Sequence, residues 1–127
     1  MSNVVYDIAR TFFVRADRDS DLVSFLGEFA KKNGITVGAF TAIGALKSAR
    51  LSFYDQTKRE HVEIAALDGP QELISCMGNI VLRDGQLYTH AHVVLVDEQG
   101  NTRAGHLLEG IVFFTQVCLH ELQGPRA

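Results

Sequence analysis

The sequence predicts a single α+β domain (mixed α/β), built largely of antiparallel sheet with one main helix. Only one stretch, near residues 20–33, has the periodicity of an amphipathic helix. Most of the remaining chain consists of apolar runs separated by turn signals, and the Asp84-Gly85 pair is typical of a two-residue β-hairpin loop. The length of 127 residues and the hydrophobic content of 46% are those of one compact domain. We therefore treat residues 1–127 as one domain.

The predicted helix follows the first strand, which we expect at residues 4–14. Asp19 or Ser20 can cap the helix, because a short side-chain oxygen can accept a hydrogen bond from a free first-turn N–H. Asn33-Gly34 ends it, since glycine adopts the left-handed conformation readily. The apolar stripe has the spacing i, i+3, i+4, i+7 and consists of Leu22, Phe25, Leu26 and Phe29.

The remaining chain reads as strands joined by turns. Gly44 marks a bulge or turn, and Gly69-Pro70 is expected to break the chain. The predicted strands cover residues 35–43, 46–55, 58–66, 73–82, 87–96, 102–106 and 110–122. The last strand is apolar on both faces, with Ile111, Phe113, Val117 and Leu119 on one and Val112, Phe114 and Cys118 on the other. One helix cannot cover the whole sheet, so we expect apolar surface to meet a second sheet or another subunit.

The charge of the chain argues against direct nucleic-acid binding. The formal net charge is −3, and the sequence pI is about 5.9. The densest basic groups are the pairs Lys31–Lys32 and Lys58–Arg59, whereas DNA-binding proteins usually gather Lys and Arg on one face. We expect weak or absent DNA binding by this chain, although the symmetry of a trimer could still gather one basic patch.

Localisation follows from what the sequence lacks. No apolar stretch approaches the roughly 18 residues of a membrane span, and the first seven residues lack signal-peptide features. Cys76 and Cys118 lie in apolar runs, which is typical of buried thiols in a reducing compartment. We expect a cytoplasmic protein that does not associate with membranes.

Three of the five histidines form the most informative pattern. His90 and His92 point to the same face of a strand because the side-chain period is two. With Asp84-Gly85 as a two-residue loop, Asn79 lies opposite His90 and Met77 opposite His92. With residues 97–101 as a five-residue loop, His106 lies opposite His92, where cross-strand Cβ atoms are about 5 Å apart. A one-residue change in that loop would send His106 to the other face.

Three neutral imidazoles suit Zn²⁺ with one open position, and nickel, iron(II) and copper(II) also accept them. The predicted ligands are His90, His92 and His106, with Asn79 as a residue that could orient His90. The alternative is a polar seam of hydrogen-bonded histidines without metal. The register turns Cys76 to the opposite face, so it is not expected to be a ligand.

Three further titratable residues, Glu109, His61 and His120, lie outside the predicted ligand set. Glu109 follows His106 by three positions and could act as a general base beside a metal, or it is an exposed turn carboxylate. His61 is expected to be a surface residue and His120 a structural one.

Four runs carry a resemblance to a known family. They are AIGAL at 42–46, SCMGNI at 75–80, THAHV at 89–93 and GHLLEG at 105–110, together with the helix before Asn33-Gly34-Ile35. In this order they resemble the plants-and-prokaryotes conserved domain (PPC or PCC domain), over residues 5–122. Ala104 stands where the family often has a glycine before the histidine, a departure that concerns the local turn and not the ligands.

The resemblance implies a largely antiparallel α/β fold and a homotrimer. It also implies that His90, His92 and His106 match the histidines proposed to hold a metal in prokaryotic members. Two functions stay open: a trimeric metal-binding protein of unassigned activity, with zinc as the expected metal, that serves as a small-molecule enzyme or sensor, and a DNA-associated regulatory protein whose domain mediates assembly and partner recruitment. The AT-hook that contacts DNA in plant members is absent from this sequence. A third reading is a structural oligomer whose histidines hold no metal.

Overall fold

The computed structural model describes residues 3–126 and contains five strands and one helix. Every strand pairing is antiparallel, which confirms the predicted single domain of antiparallel sheet with one helix. The elements are β1 (Asp7–Arg15), α1 (Leu22–Lys32), β2 (Val37–Asp55), β3 (Glu60–Arg83), β4 (Gln86–Val96) and β5 (Thr102–Gln123). Strands of 19, 24 and 22 residues make the fold mostly β. No helix within residues 3–126 is long and apolar enough to cross a membrane.

The sheet closes on itself. Its strand order is β1-β5-β2-β3-β4, and β4 also pairs with β5, so β2 to β5 form a closed ring with β1 at the outer edge of β5. The apolar core lies inside this ring and beneath α1, which packs against β4 and β5. Leu22, Leu26 and Ala30 supply the fully buried face of the helix. Phe25 and Phe29 of the predicted stripe are partly buried at its margin.

The observed N-cap lies one residue after Ser20 and two residues after Asp19, the two predicted caps. Asp21 is the N-cap, and its carboxylate accepts a hydrogen bond from the Ser24 N–H at 3.0 Å. The other carboxylate oxygen accepts from the Gly110 N–H at 2.9 Å, which ties the helix start to β5. Asp19 instead has a φ of 69° and forms an ion pair with Lys47. The tertiary contact with Gly110, absent from any local pattern, therefore selects the cap.

Three predicted strand boundaries are wrong because bulges, not loops, interrupt the long strands. Gly44 marks a bulge, which was one of its two predicted roles, because the preceding Ile43 faces two residues of β3. A Cβ atom at Gly44 would lie 2.0 Å from the Phe114 carbonyl oxygen. Gly69-Pro70 does not break β3; the two residues face the single residue Lys47 in another bulge. Pairing of β3 with β4 reaches only Glu72, so the missing N–H of Pro70 leaves no β4 partner unpaired. The predicted strands 102–106 and 110–122 likewise form one strand, β5.

The predicted assignment of residues to the two faces of β5 is wrong, because a further bulge interrupts the strand. Val112 pairs with Leu46 and Phe114 with Ala45, so Phe113 is the extra residue. Val112 is buried before the bulge, and after it the buried residues are Thr115, Val117 and Leu119, which changes the alternation by one position. Phe113 and Phe114 are both exposed, instead of lying on opposite covered faces. Of the two free cysteines, Cys76 is buried as predicted, and Cys118 is only half-buried.

Candidate metal centre

The register predicted around the histidines is confirmed at every position. Arg83 pairs with Gln86, and along the same two strands Asn79 pairs with His90 and Met77 with His92. Across the next turn Val96 pairs with Thr102 and His92 with His106. No bulge interrupts the β4–β5 pairing or the part of the β3–β4 pairing from Ser75 to Arg83.

Local chemistry explains why both turns have the expected length. Asp84 and Gly85 have φ values of 52° and 77°, the positive pair that a type I′ hairpin needs. In the second turn, the Asp97 carboxylate accepts hydrogen bonds from the N–H groups of Asn101 at 2.9 Å and Gln99 at 3.0 Å. The side-chain amide of Asn101 donates a third at 3.2 Å. The carboxylate thus closes the turn that sets His106 beside His92.

The three predicted ligands form one cluster on the outer face of the sheet. One ring nitrogen from each of His90, His92 and His106 lies within 4.8 Å of the other two. The ring centroid of His90 lies 4.9 Å from that of His92 and 5.0 Å from that of His106. A single ion placed between them is within reach of all three nitrogens after small side-chain adjustments, since a zinc–nitrogen bond is about 2.0–2.1 Å.

The protonation state of the cluster favours ligation. Burial, followed by the neighbouring imidazoles of His61, His90 and His92, lowers the pKa of His106 from 6.5 to about 4. Burial and then His92 and His61 also lower the pKa of His90. Neutral rings keep a lone pair for a metal. The Nδ1 atom of His106 is buried and has no hydrogen-bond partner among the described residues, so the donor set fits a divalent ion.

His61 is a neighbour of the cluster that sequence reasoning missed. It is exposed, as predicted, but its ring centroid lies 4.2 Å from that of His106. Its Nδ1 atom and the hydroxyl of Ser52 are 3.2 Å apart and share a hydrogen bond. Ser52 in turn pairs with His106 across β2 and β5. That pairing joins strands distant in sequence, and no turn signal could have revealed it.

The other candidate residues lie at the margin of the cluster or away from it. Asn79 is exposed opposite His90 and shares a hollow with His90 and His92, so the predicted orienting role keeps a suitable position. Glu109 pairs with Arg50 on β2, beyond the residues that line the cavity, and its role as a base stays a prediction. His120 is hydrogen-bonded to the Thr11 hydroxyl at 2.9 Å, away from the triad of His90, His92 and His106.

A cavity of about 800 Å³ opens directly onto the cluster. All three histidines of the triad and His61 form one side of it. The remaining wall is mainly apolar and consists of Phe53, Tyr54, Met77, Val93, Val94, Ala104 and Gly105, with Ser52, Gln56 and Ser75 as its polar members. A metal held by the triad would therefore face a space large enough for a small organic molecule.

The fold and the triad together define a small antiparallel-sheet domain with a histidine cluster suited to a metal. The chain belongs to the Plants and Prokaryotes Conserved (PCC) domain family, whose profile matches residues 5–123.

Solved structures with the same fold include two archaeal proteins. A plant- and prokaryote-conserved (PPC) protein from Pyrococcus horikoshii is 37% identical with a TM-score of 0.92, over 98% of this chain and 86% of that one. A metal-containing protein from Archaeoglobus fulgidus is 35% identical with a TM-score of 0.90, over 98% of this chain and 87% of that one.

A curated relative is much longer than this chain. The bifunctional protein GlmU of Synechococcus sp. (strain JA-3-3Ab) is 32% identical over 111 aligned residues, and the match covers 84% of this chain and 16% of that protein. The similarity therefore covers one segment of a larger protein.

Proposed function

We propose that this protein is a metal-dependent small-molecule-binding protein, an enzyme or a sensor, in which His90, His92 and His106 hold one divalent metal. The observation that carries the proposal is the convergence of three ring nitrogens within 4.8 Å, and one of these rings has a buried nitrogen with no hydrogen-bond partner in residues 3–126. The similar Archaeoglobus fulgidus protein is described as metal-containing, which supports metal binding here.

Zinc is the metal we propose. It is commonly bound by three histidines with a fourth position left open, and the triad contains no carboxylate or thiolate that would favour a harder or softer ion. When bound, zinc polarises a ligand that reaches its open position. The protein supplies the triad, the aromatic neighbour His61, and a mainly apolar cavity beside the metal.

Elemental analysis of the purified protein tests this proposal directly. We expect about one zinc per chain in the wild type, and loss of tight binding in His92→Ala and in the triple variant of His90, His92 and His106. His120→Ala is the matched control, because that ring bonds to Thr11 outside the triad. His61→Ala should also keep its metal, since its nitrogens are not part of the converging set. Full metal content in His92→Ala would contradict the proposed metal site and favour the alternative, a seam of hydrogen-bonded histidines without metal.

Assembly into a homotrimer is the second part of the proposal. Phe13 and Thr41 lie in one row across β1, β5 and β2, with Cys118 between them. Ile43 stands in the next row of the same face. Phe13 is 72% exposed and Ile43 59%, two large apolar side chains that a monomer would leave in water.

Sedimentation at micromolar concentration tests the trimer. A closed ring of three copies uses one interface three times, so the double substitution Phe13→Ser and Ile43→Ser should shift the species toward the 14.0 kDa monomer. A wild-type protein that sediments only as a monomer would contradict the proposal.

Direct DNA binding by this chain should be weak or absent. Four basic side chains, those of Arg10, Lys47, Arg50 and Arg126, already form ion pairs with carboxylates. Non-specific binding requires several phosphate contacts, and each adds to the salt dependence. Fluorescence anisotropy with a labelled duplex at physiological salt measures this. Submicromolar, steeply salt-dependent binding would instead favour the DNA-associated regulatory function.

A further inference from the structure

The cavity beside the triad has an unusual charge balance. Its wall contains four histidines and no Asp, Glu, Lys or Arg side chain among the described residues. Glu63, which pairs with the cavity residue Ser52, forms an ion pair with Arg50, so these two charges offset each other outside the cavity. A dipositive ion held by three neutral imidazoles would therefore keep its full positive charge.

Such a centre selects for an anion at the open position. The interaction of unit charges is several times stronger in a partly desolvated site than in bulk water. A monoanion lowers the charge of the site without the large desolvation cost of a dianion, and a carboxylate is a common oxygen ligand for zinc. The cavity wall, as formed by residues 3–126, offers no carboxylate, so a carboxylate ligand would come from a bound molecule.

The rest of the wall selects for an apolar, planar body. Met77 lies opposite His92 and is 63% exposed, so its flexible side chain borders the triad. On the other side, the Tyr54 ring packs edge-on against His61 with centroids 5.1 Å apart. The His61 ring in turn lies 4.2 Å from that of His106, so a row of rings leads from the triad to Tyr54. Aromatic rows of this kind favour flat ligands.

We infer that the cavity binds a small monocarboxylate with a flat apolar body, its carboxylate at the metal and its body between Met77 and Tyr54. This inference rests on the proposed metal-binding function and adds the chemical class of the ligand. The cavity, at about 800 Å³, is within the range of roughly 300–1,000 Å³ that small organic ligands occupy.

Calorimetric titration of the zinc-loaded protein with three probes tests the inference. The probes are 2-naphthoate, which has both parts, acetate, which has only the charged group, and 2-naphthalenemethanol, which has only the flat body. We expect 2-naphthoate to bind at least about tenfold more tightly than either of the others, a difference of 1.4 kcal/mol. Removing zinc should weaken 2-naphthoate binding by about the same factor. In the Co²⁺-substituted protein, 2-naphthoate should change the visible absorption of the metal.

Two substitutions locate the body of the ligand. Met77→Thr and Tyr54→Ser should each weaken 2-naphthoate binding several-fold without changing zinc content. Ile74→Thr is the matched control, because Ile74 is an exposed apolar residue on the same strand and does not line the cavity.

The outcomes separate the two proposals. Zinc content is measured first, and a protein that binds no zinc overturns both the proposed function and this inference. A zinc-loaded protein that binds 2-naphthalenemethanol as tightly as 2-naphthoate, or 2-naphthoate no more tightly than acetate, overturns the inference alone. Equal weakening by Ile74→Thr and Met77→Thr would also contradict the proposed location.

Discussion

Two regions of the sheet are built by opposite rules. In the first, β3, β4 and β5 are joined by turns of two and five residues, and the strands run without bulges past the histidines. In the second, β2 pairs with β3 and β5 along almost its whole length, and bulges interrupt both pairings repeatedly. In the turn region, the lengths of the two turns set the strand register and therefore the side-chain positions. The bulged region bends the sheet closed and changes which side chains face the core.

This difference assigns separate tasks to the two regions. The turn region places three imidazoles on one face, where a one-residue slip would remove one of them. The bulged region contributes to the same site through the β2–β3 hairpin, where Ser52 pairs with His106 and bonds to His61. We therefore expect changes in the turn region to affect metal binding and stability together, and changes at the bulges to affect stability alone.

The substitution Gly78→Ala should have the largest effect. A Cβ atom at Gly78 would lie 2.0 Å from the His90 carbonyl oxygen and 2.6 Å from the Phe40 ring. The backbone of β4 must shift, which we expect to cost about 1–3 kcal/mol or more. Because His90 itself moves, zinc affinity should fall about tenfold or more. Urea unfolding and competitive zinc titration measure the two effects. Gly27→Ala, where the new Cβ meets only Thr89 at 3.5 Å, is the control and should be neutral or stabilising.

The substitution Gly44→Ala provides the counterpart in the bulged region. Here the new Cβ would lie 2.0 Å from the Phe114 carbonyl oxygen, and the φ of +144° disfavours any side chain. The free energy of unfolding should fall by an amount similar to that for Gly78→Ala, about 1–3 kcal/mol or more. Zinc affinity of the folded fraction should stay within about twofold of the wild type, by the additivity of distant sites. A tenfold loss of zinc affinity would show that the bulges also position the triad.

The same division explains what the sequence could predict. The positions of His90, His92 and His106 follow from turn chemistry at Asp84-Gly85 and Asp97, which is local. The exposure of Phe113 and Phe114 does not follow from local chemistry. It depends on a bulge opposite Leu46, in a strand about 65 residues away. Pro70 was expected to end a strand, yet it lies where β3 has no β4 neighbour, and that edge exists only in the assembled sheet.

The helix cap and His61 have the same explanation. Asp19, Ser20 and Asp21 are all suitable caps by residue type, and the Gly110 N–H chooses Asp21. His61 joins the site because β2 pairs with β5. Patterns within one strand or hairpin predict local register, and pairings between distant strands lie beyond them. Trimer formation and metal identity, which depend on partners outside the chain, stay predictions.

The smallest expected effect concerns the pH dependence of the 97–101 turn. The N–H of Asn101 is the main cause that holds the pKa of Asp97 below 3.8, with further contributions from the Asn101 side chain and the Gln99 N–H. The folded protein therefore binds this proton less tightly than the unfolded chain, so ionised Asp97 stabilises the fold at pH values above 3.8. That contribution is lost as the pH falls below 3.8 and through the lowered pKa. Asp97→Asn should reduce the melting temperature slightly at neutral pH, and the difference from the wild type should shrink as the pH falls below 3.8. Glu98→Gln, in the same turn but outside the three hydrogen bonds to Asp97, is the control. A melting-temperature difference that is constant over this range would mean that the charge of Asp97 contributes nothing to the turn that places His106.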